Sequence, residues 1–246
     1  MLIIPAIDII GEKVVRLEQG DFNKEKVYSD DPVQVALGWQ KKGARFLHIV
    51  DLDGAREGRV KNSDIIASII KNVGIPCEVG GGLRETGDIE YFLKKGASRA
   101  VIGTRALEDS AYLEKLISKF NEKIAVSCDF SGNRVAKKGW QEKIDLDPVS
   151  AIKKIEAAGV KAIVMTDISV DGTLMGPNIK RFKEILNAVG ISVIVSGGIS
   201  SLEDIRKIKE IGAKNLEGII IGKALYEGRI NLQEAMQIAE SAKKQR

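Results

Sequence analysis

The chain of 246 residues has one histidine, His48, and two cysteines, Cys77 and Cys128. That inventory offers no cluster at metal-ligand spacing. Both cysteines sit in apolar, strand-like runs, which reads as two buried free thiols in a reducing compartment. The net charge is only +4, and there is no dense Lys/Arg block outside the tail KKQR. Nucleic-acid binding needs a clustered basic face, so it is not expected, whereas a mild positive excess suits an anionic small molecule. No run approaches the roughly 18 apolar residues of a membrane helix. The first residues lack a basic segment, and Asp8 interrupts their apolar run, so no secretory signal is expected and the protein reads as cytoplasmic. The stretch GGGLRETG is not a dinucleotide fingerprint placed between a first strand and its helix. Nothing asks for a cofactor, a metal or an obligate protein partner.

What is present is alternation. Short β-branched runs at 2–8, 45–51, 75–80, 99–103, 123–129, 161–166, 191–196 and 217–222 are separated by amphipathic segments of helical period. Asp31-Pro32 and Asp147-Pro148 each read as an N-cap followed by proline at the first helical position. NSDIIASIIKNVG ends on Gly74, which reads as a C′ glycine. Eight nearly all-apolar strands alternating with eight helices predict an α/β protein with a parallel sheet covered on both faces, closed as a (β/α)8 TIM barrel over residues 1–246. Two features strain that pattern. Pro5 lies mid-strand, where a local irregularity is expected because a closed barrel has no edge. Residues 12–30 are too long for an ordinary βα loop; KVVRLE and KVYS can pair as a hairpin and form a candidate lid.

The sequence also repeats itself. HIVDLDGAREGRVKN at 48–62 recurs 116 residues later as VMTDISVDGTLMGPN, and VGGGLRETGDI recurs at the same offset as VSGGISSLEDI. VIGTRALE matches IIGKALYE, and IPAIDIIGEKVV matches VSCDFSGNRVA, which sets Asp8 against Asp129. The chain therefore reads as two fused (β/α)4 halves, about 1–122 and 123–246. Strands one and five face each other in such a barrel. Alternation puts Asp8 and Asp129 on the inner face, across the catalytic mouth.

Glycines follow four strands in two symmetric pairs: Gly81-Gly82 with Gly103-Thr104, and Gly197-Gly198 with Gly222-Lys223. Loops of this kind bring backbone N–H groups to phosphate oxygens, so a small substrate with a phosphate at each end is expected. Asp8 and Asp129 suit general acid–base chemistry between those ends. Thr166 and the lone His48 point inward by parity, and Asp171, in a DG pair that also reads as a turn, lies on the loop after the sixth strand, on the catalytic side. Arg16 in the lid segment and Arg84 after GGG suit anionic or carboxamide groups, and Trp140 suits a planar ring. Asp51 and Asp167 have the opposite parity and are expected to hold loops or helices.

PAIDI at 5–9, GGGLR at 80–84, KKGW at 137–140, TDISVDGTLMGPN at 166–178 and SGGIS at 196–200, with the Asp129 strand end, resemble the ProFAR isomerase family of histidine biosynthesis over the whole chain. That resemblance implies a cofactor-independent TIM barrel. It would carry out an Amadori rearrangement of an aminoaldose phosphate to an aminoketose phosphate. It also implies Asp8 as proton acceptor, Asp129 as donor with Asp171 its rival, and Thr166 as a contact to the ring-opened sugar. The sister cyclase of imidazole glycerol phosphate synthase usually has cysteine at the position of Ala6 and lacks the KGW element. A dual-substrate form acting also on phosphoribosylanthranilate shares these motifs.

Overall fold

In the computed structural model, which describes residues 1–137, 140 and 142–241, the apolar runs become strands and the segments between them helices. Lys138, Gly139 and the KKQR tail lie outside the described residues. The strands are β1 (Leu2–Ile10), β2 (Lys13–Glu18), β3 (Asp21–Ser29), β4 (Leu47–Asp51), β5 (Cys77–Gly80) and β6 (Arg99–Ile102). They continue with β7 (Ile124–Ser131), β8 (Arg134–Lys137), β9 (Glu142–Ile144), β10 (Ala162–Asp167), β11 (Ser192–Ser196) and β12 (Leu216–Ile221). Eight of them run parallel in the order β1-β4-β5-β6-β7-β10-β11-β12, and β12 pairs back onto β1. The sheet is therefore a closed (β/α)8 barrel.

Helices begin where the sequence caps them. Asp31 accepts from the Gln34 amide at 3.0 Å, and Asp147 accepts from the Ser150 amide at 3.0 Å. Gly74 stands at C′ as expected, directly after the C-cap Val73 of the helix Ser63–Asn72, but it makes no left-handed turn: Val73 is extended, a conformation its branched side chain favours, and the Gly74 amide donates to Gln40 Oε1 at 2.6 Å. Pro5 causes no break either: the register runs without a shift from Leu2 to Pro5 against β12 and from Ala6 to Ile9 against β4. Proline sits where the staggered strand hands its pairing from one neighbour to the other, and the missing donor fits that handover. Among the described residues no helix is long and apolar enough to cross a membrane.

The first strand of each half runs past the barrel into a hairpin. β1 continues into β2 and β3 through a turn at Gly11-Glu12 with positive φ at both residues, a two-residue turn that matches strand twist. β7 continues into β8 and β9, a second hairpin that sequence patterning did not single out. The inner and outer faces of the barrel pack as separate cores. The large outer core is Ile- and Val-rich and lies under the helices. The small inner one joins Ile4, Ala6, Val101, Ala125, Ala162, Val164, Ile194 and Ile220 and plugs the barrel.

Candidate functional site

Above the apolar plug the strand ends open into a cavity of about 200 Å³. Asp8 closes the inward row Ile4, Ala6 on β1, and Asp129 closes Ala125, Ser127 on β7, four strands away on the opposite side of the ring. Thr166, the register partner of Asp129, and His48, the register partner of Ala6, line the same cavity. Asp51 and Asp167 point outward and hold loops. Asp51 accepts from the amides of Gly54, Lys61 and Asn62, and Asp167 accepts from the Ser169 amide and hydroxyl.

The carboxylates at the mouth occupy unlike surroundings. Arg16, only 7% exposed, donates from Nη1 to Asp8 Oδ2 at 2.6 Å, and its Nη2 lies 3.9 Å from Asp171. Asp129 has no cation at hydrogen-bond distance among the described residues. Burial pushes its carboxyl up from the ordinary range, and hydrogen bonds from Trp140 and Thr166 offset part of that rise. The Trp140 indole donates from Nε1 to Asp129 Oδ2 at 2.7 Å. Asp171 is pushed up to about 6 by burial first; Arg16 opposes the rise and the charges of Asp8 and Asp129 add to it.

That raised value has a measurable consequence. The folded protein binds the Asp171 proton more tightly than an unfolded chain does, so ionising it costs stability as pH rises through about 6. Asp171→Asn removes that cost. The variant should be more stable than wild type by about 3 kcal/mol at pH 8, with the difference vanishing below about pH 4. Urea melts across this range check it, and a pH-independent difference would count against the buried-carboxylate account.

Two glycine-loop sites flank the carboxylates. Gly81 and Gly82 turn with φ of 93° and 71°, and Gly197 and Gly198 turn with 101° and 77°. Gly103 caps the short helix Thr104–Glu108, and Gly222 caps Lys223–Tyr226, with similar backbone angles. A second cavity of about 20 Å³ sits against Gly197, Gly198, Gly222 and Lys223, and it shares Arg16, Asp171, Ser196 and Ile220 with the larger one. It is filled from within. The Arg16 guanidinium lies against Gly222, where an added Cβ would meet its Cζ at 2.2 Å, and Lys223 Nζ donates to the Gly172 carbonyl at 2.8 Å. The first-half loops open directly into the large cavity, which Arg84 and Thr104 also line.

The first hairpin lies over the mouth. The Gln19 amide donates to the Asp171 carbonyl at 3.0 Å, and Gln19 Nε2 donates to the Ser169 carbonyl at 2.6 Å. Gly20 packs on the Trp140 ring so closely that a Cβ there would meet Cε3 at 2.1 Å. Trp140 itself holds a positive φ of 71°, an uncommon conformation for a bulky residue that the contacts with Gly20 and Asp129 help maintain.

Asp8, Asp129, Asp171, Thr166, His48, Arg16, Arg84, Trp140, Gly81, Gly82, Gly103 and Thr104 thus surround the larger cavity, and Gly197, Gly198, Gly222 and Lys223 the smaller. Sequence reasoning passed over Arg105 and Lys137, which also line the large cavity, and a buried carboxylate, Glu78, bonded to His48. Strand parity points to Glu78, since it shares a face with Gly80 two residues on.

A family model described as histidine biosynthesis protein matches residues 2–231. Three bacterial relatives carry the name 1-(5-phosphoribosyl)-5-((5-phosphoribosylamino)methylideneamino)imidazole-4-carboxamide isomerase. The chain is similar to one from Clostridium botulinum, 44% identical over 238 residues that cover 97% of each chain. It is also similar to one from Acetivibrio thermocellus, 42% identical over 240 residues, covering 98% of this chain and all of the relative. The third, from a Thermoanaerobacter species, is 46% identical over 238 residues, covering 97% of this chain and all of the relative. With its barrel, its doubled glycine loops and these relatives, the chain belongs to the histidine biosynthesis protein family.

Proposed function

We propose that this protein is the ProFAR isomerase of histidine biosynthesis, converting an N-linked aminoaldose with two phosphates to the aminoketose without a cofactor. The observation that carries the reading is the opposition of Asp8 and Asp129 across one cavity, with a glycine-loop site on either side. Asp129, with its raised carboxyl, is the proton donor: it protonates the furanose ring oxygen and opens the sugar to a Schiff base. Asp8, kept beside the Arg16 cation, is the acceptor that removes the C2 proton, and the resulting enolamine tautomerises to the ketone. Thr166 and His48 hold the open-chain sugar, Arg84 and Arg16 meet the anionic ends, and Trp140 covers the planar imidazole. Asp171 orients Arg16 and is the second candidate for the acid.

Gly81, Gly82, Gly103 and Thr104 bind one phosphate; Gly197, Gly198, Gly222 and Lys223 bind the other. The incoming phosphate draws Lys223 from the Gly172 carbonyl, which enlarges the smaller cavity, while Arg16 stays on Asp8. Incubating the purified chain with ProFAR in chelator-treated buffer should give the aminoketose spectrum. A chain that binds ProFAR without turning it over would overturn the reading. Crystals soaked in sulfate should hold an anion at both glycine pairs, and occupancy of one pair alone would remove the two-phosphate part.

A further inference from the structure

Beneath the catalytic mouth the barrel holds a charged layer that the reaction above leaves unused. Glu78 on β5 is completely buried. Its Oε1 lies 2.7 Å from His48 Nδ1, and its Oε2 accepts from Arg99 Nε at 2.8 Å. Arg99 donates in turn to both oxygens of Glu217, at 3.1 and 3.4 Å, and the Ser192 hydroxyl donates to Glu217 as well. His48 and Glu78 are direct register partners on neighbouring strands.

The fold does not require this polar pair. The repeat offset of 116 residues sets Val164 against His48 and Ile194 against Glu78, and those two are also register partners, both buried and apolar. One half of the barrel therefore packs the same two positions with aliphatic side chains. Burying a carboxylate there costs stability unless it is paired and hydrogen-bonded, and replacing such a pair by apolar residues is often neutral. Nor does Arg99 alone account for Glu78, because Arg99 already has Glu217 as a counter-ion. Glu78 instead commits one oxygen to the imidazole. Burial would raise its carboxyl, but His48 and Arg99 outweigh burial and hold it below the ordinary range, so both oxygens act as acceptors.

Glu78 engages His48 Nδ1, and no second hydrogen bond to the ring is made among the described residues. The ring's remaining access is into the cavity lined by Asp8, Asp129 and Thr166. A histidine's tautomer is set by the hydrogen bonds its ring makes: the nitrogen that faces a carboxylate carries the proton, and the other is left as an acceptor. We propose that Glu78 is a positioning residue acting through His48: it fixes a proton on Nδ1 and turns Nε2 toward the hydroxyls of the open-chain sugar. The identity of the sugar rests on the isomerase reading; the fixed tautomer does not.

The single histidine makes a direct test practicable. Protein labelled with ¹⁵N-histidine gives one imidazole, whose two nitrogens are distinguished by shift and coupling. The free protein should carry its proton on Nδ1, and the aminoketose product should move the Nε2 resonance while that proton stays. Glu78→Gln should lower kcat roughly 10–100-fold, the scale known for carboxylates that orient metal-ligating histidines, with KM changed less than about threefold. His48→Asn should lose a similar factor, and the double variant should lose no more than either alone. A wild-type ring with Nδ1 bare, a folded Glu78→Gln with wild-type kcat, or losses that multiply in the double variant would each overturn the proposal. If Glu78→Gln does not fold, the wild-type spectrum alone decides. If the wild type lacks isomerase turnover, the function reading fails while the tautomer result stands.

Discussion

Asp8→Asn and Asp129→Asn should each lower kcat by about 10²–10⁴-fold with little change in KM, the signature of an interaction made in the transition state. The amide that replaces each carboxylate keeps the shape and one acceptor oxygen, so Arg16 and Trp140 retain a hydrogen-bond partner. The two variants should part in stability. Asp8→Asn removes the nearest counter-ion of an arginine that is 7% exposed, leaving Asp171 at 3.9 Å to balance it, and should melt lower than wild type. Asp129→Asn removes a carboxylate that burial disfavours in its ionised form and should melt at or above wild type in neutral buffer. Steady-state kinetics with melting curves on both variants check the set. Near-normal turnover in Asp129→Asn, with a large loss in Asp171→Asn, would move the proton donor to Asp171.

Gly81→Ala should destabilise the fold by about 3–5 kcal/mol, a drop in melting temperature on the order of 10 °C for a chain of this size. The cost has two parts. Gly81 has a φ of 93°, which disfavours any side chain. Its added Cβ would also lie 2.1 Å from the Asp51 carbonyl oxygen. That backbone cannot yield easily, because the Asp51 side chain is tied to the amides of Gly54, Lys61 and Asn62 at 2.7–3.0 Å. The second half repeats the arrangement, with Gly197 at a φ of 101° and its Cβ position 2.5 Å from the Asp167 carbonyl oxygen. Gly87→Ala is the control: it lies in the helix Thr86–Lys95 with nothing near its Cβ position, and should stabilise by about 0.5–1 kcal/mol. Thermal melts of the two variants suffice, and a Gly81→Ala protein as stable as wild type would remove the close-approach argument.

The barrel was legible because its strands are buried on both faces. Runs such as Ile4–Ile7 and Ile163–Met165 carry no competing helical period, and every barrel strand begins and ends within about two residues of the span its apolar run predicts. Parity read inward and outward residues correctly at Asp8, His48, Asp51 and Asp167. Contacts that depend on the stagger between strands or on the path of a loop were not legible. No local pattern ties Glu78 to His48, 30 residues away, or carries Gly20 onto the Trp140 ring. Gly74 marked the end of its helix at C′, but its backbone conformation was not legible, because it answers to the side chain of Gln40, 34 residues away. The second hairpin was present in the match between IPAIDIIGEKVV and VSCDFSGNRVA, but short polar strands carry little hydrophobic signal.

The departure of His48 and Glu78 from Val164 and Ile194 bears on direction. A barrel that repeats itself has a pseudo-twofold axis through its mouth, and an ideal copy would receive an elongated two-phosphate molecule either way round with equal affinity. Half of those encounters would set the aldose end beneath the wrong carboxylate, where the base meets no acidic carbon. On the isomerase reading, polar atoms on one side of the axis and aliphatic ones on the other would remove that degeneracy. Every 1.4 kcal/mol of difference between the two poses makes backward binding tenfold rarer. The two glycine-loop sites would then serve as the anchors, and the pair that breaks the duplication would tell the substrate which end is which.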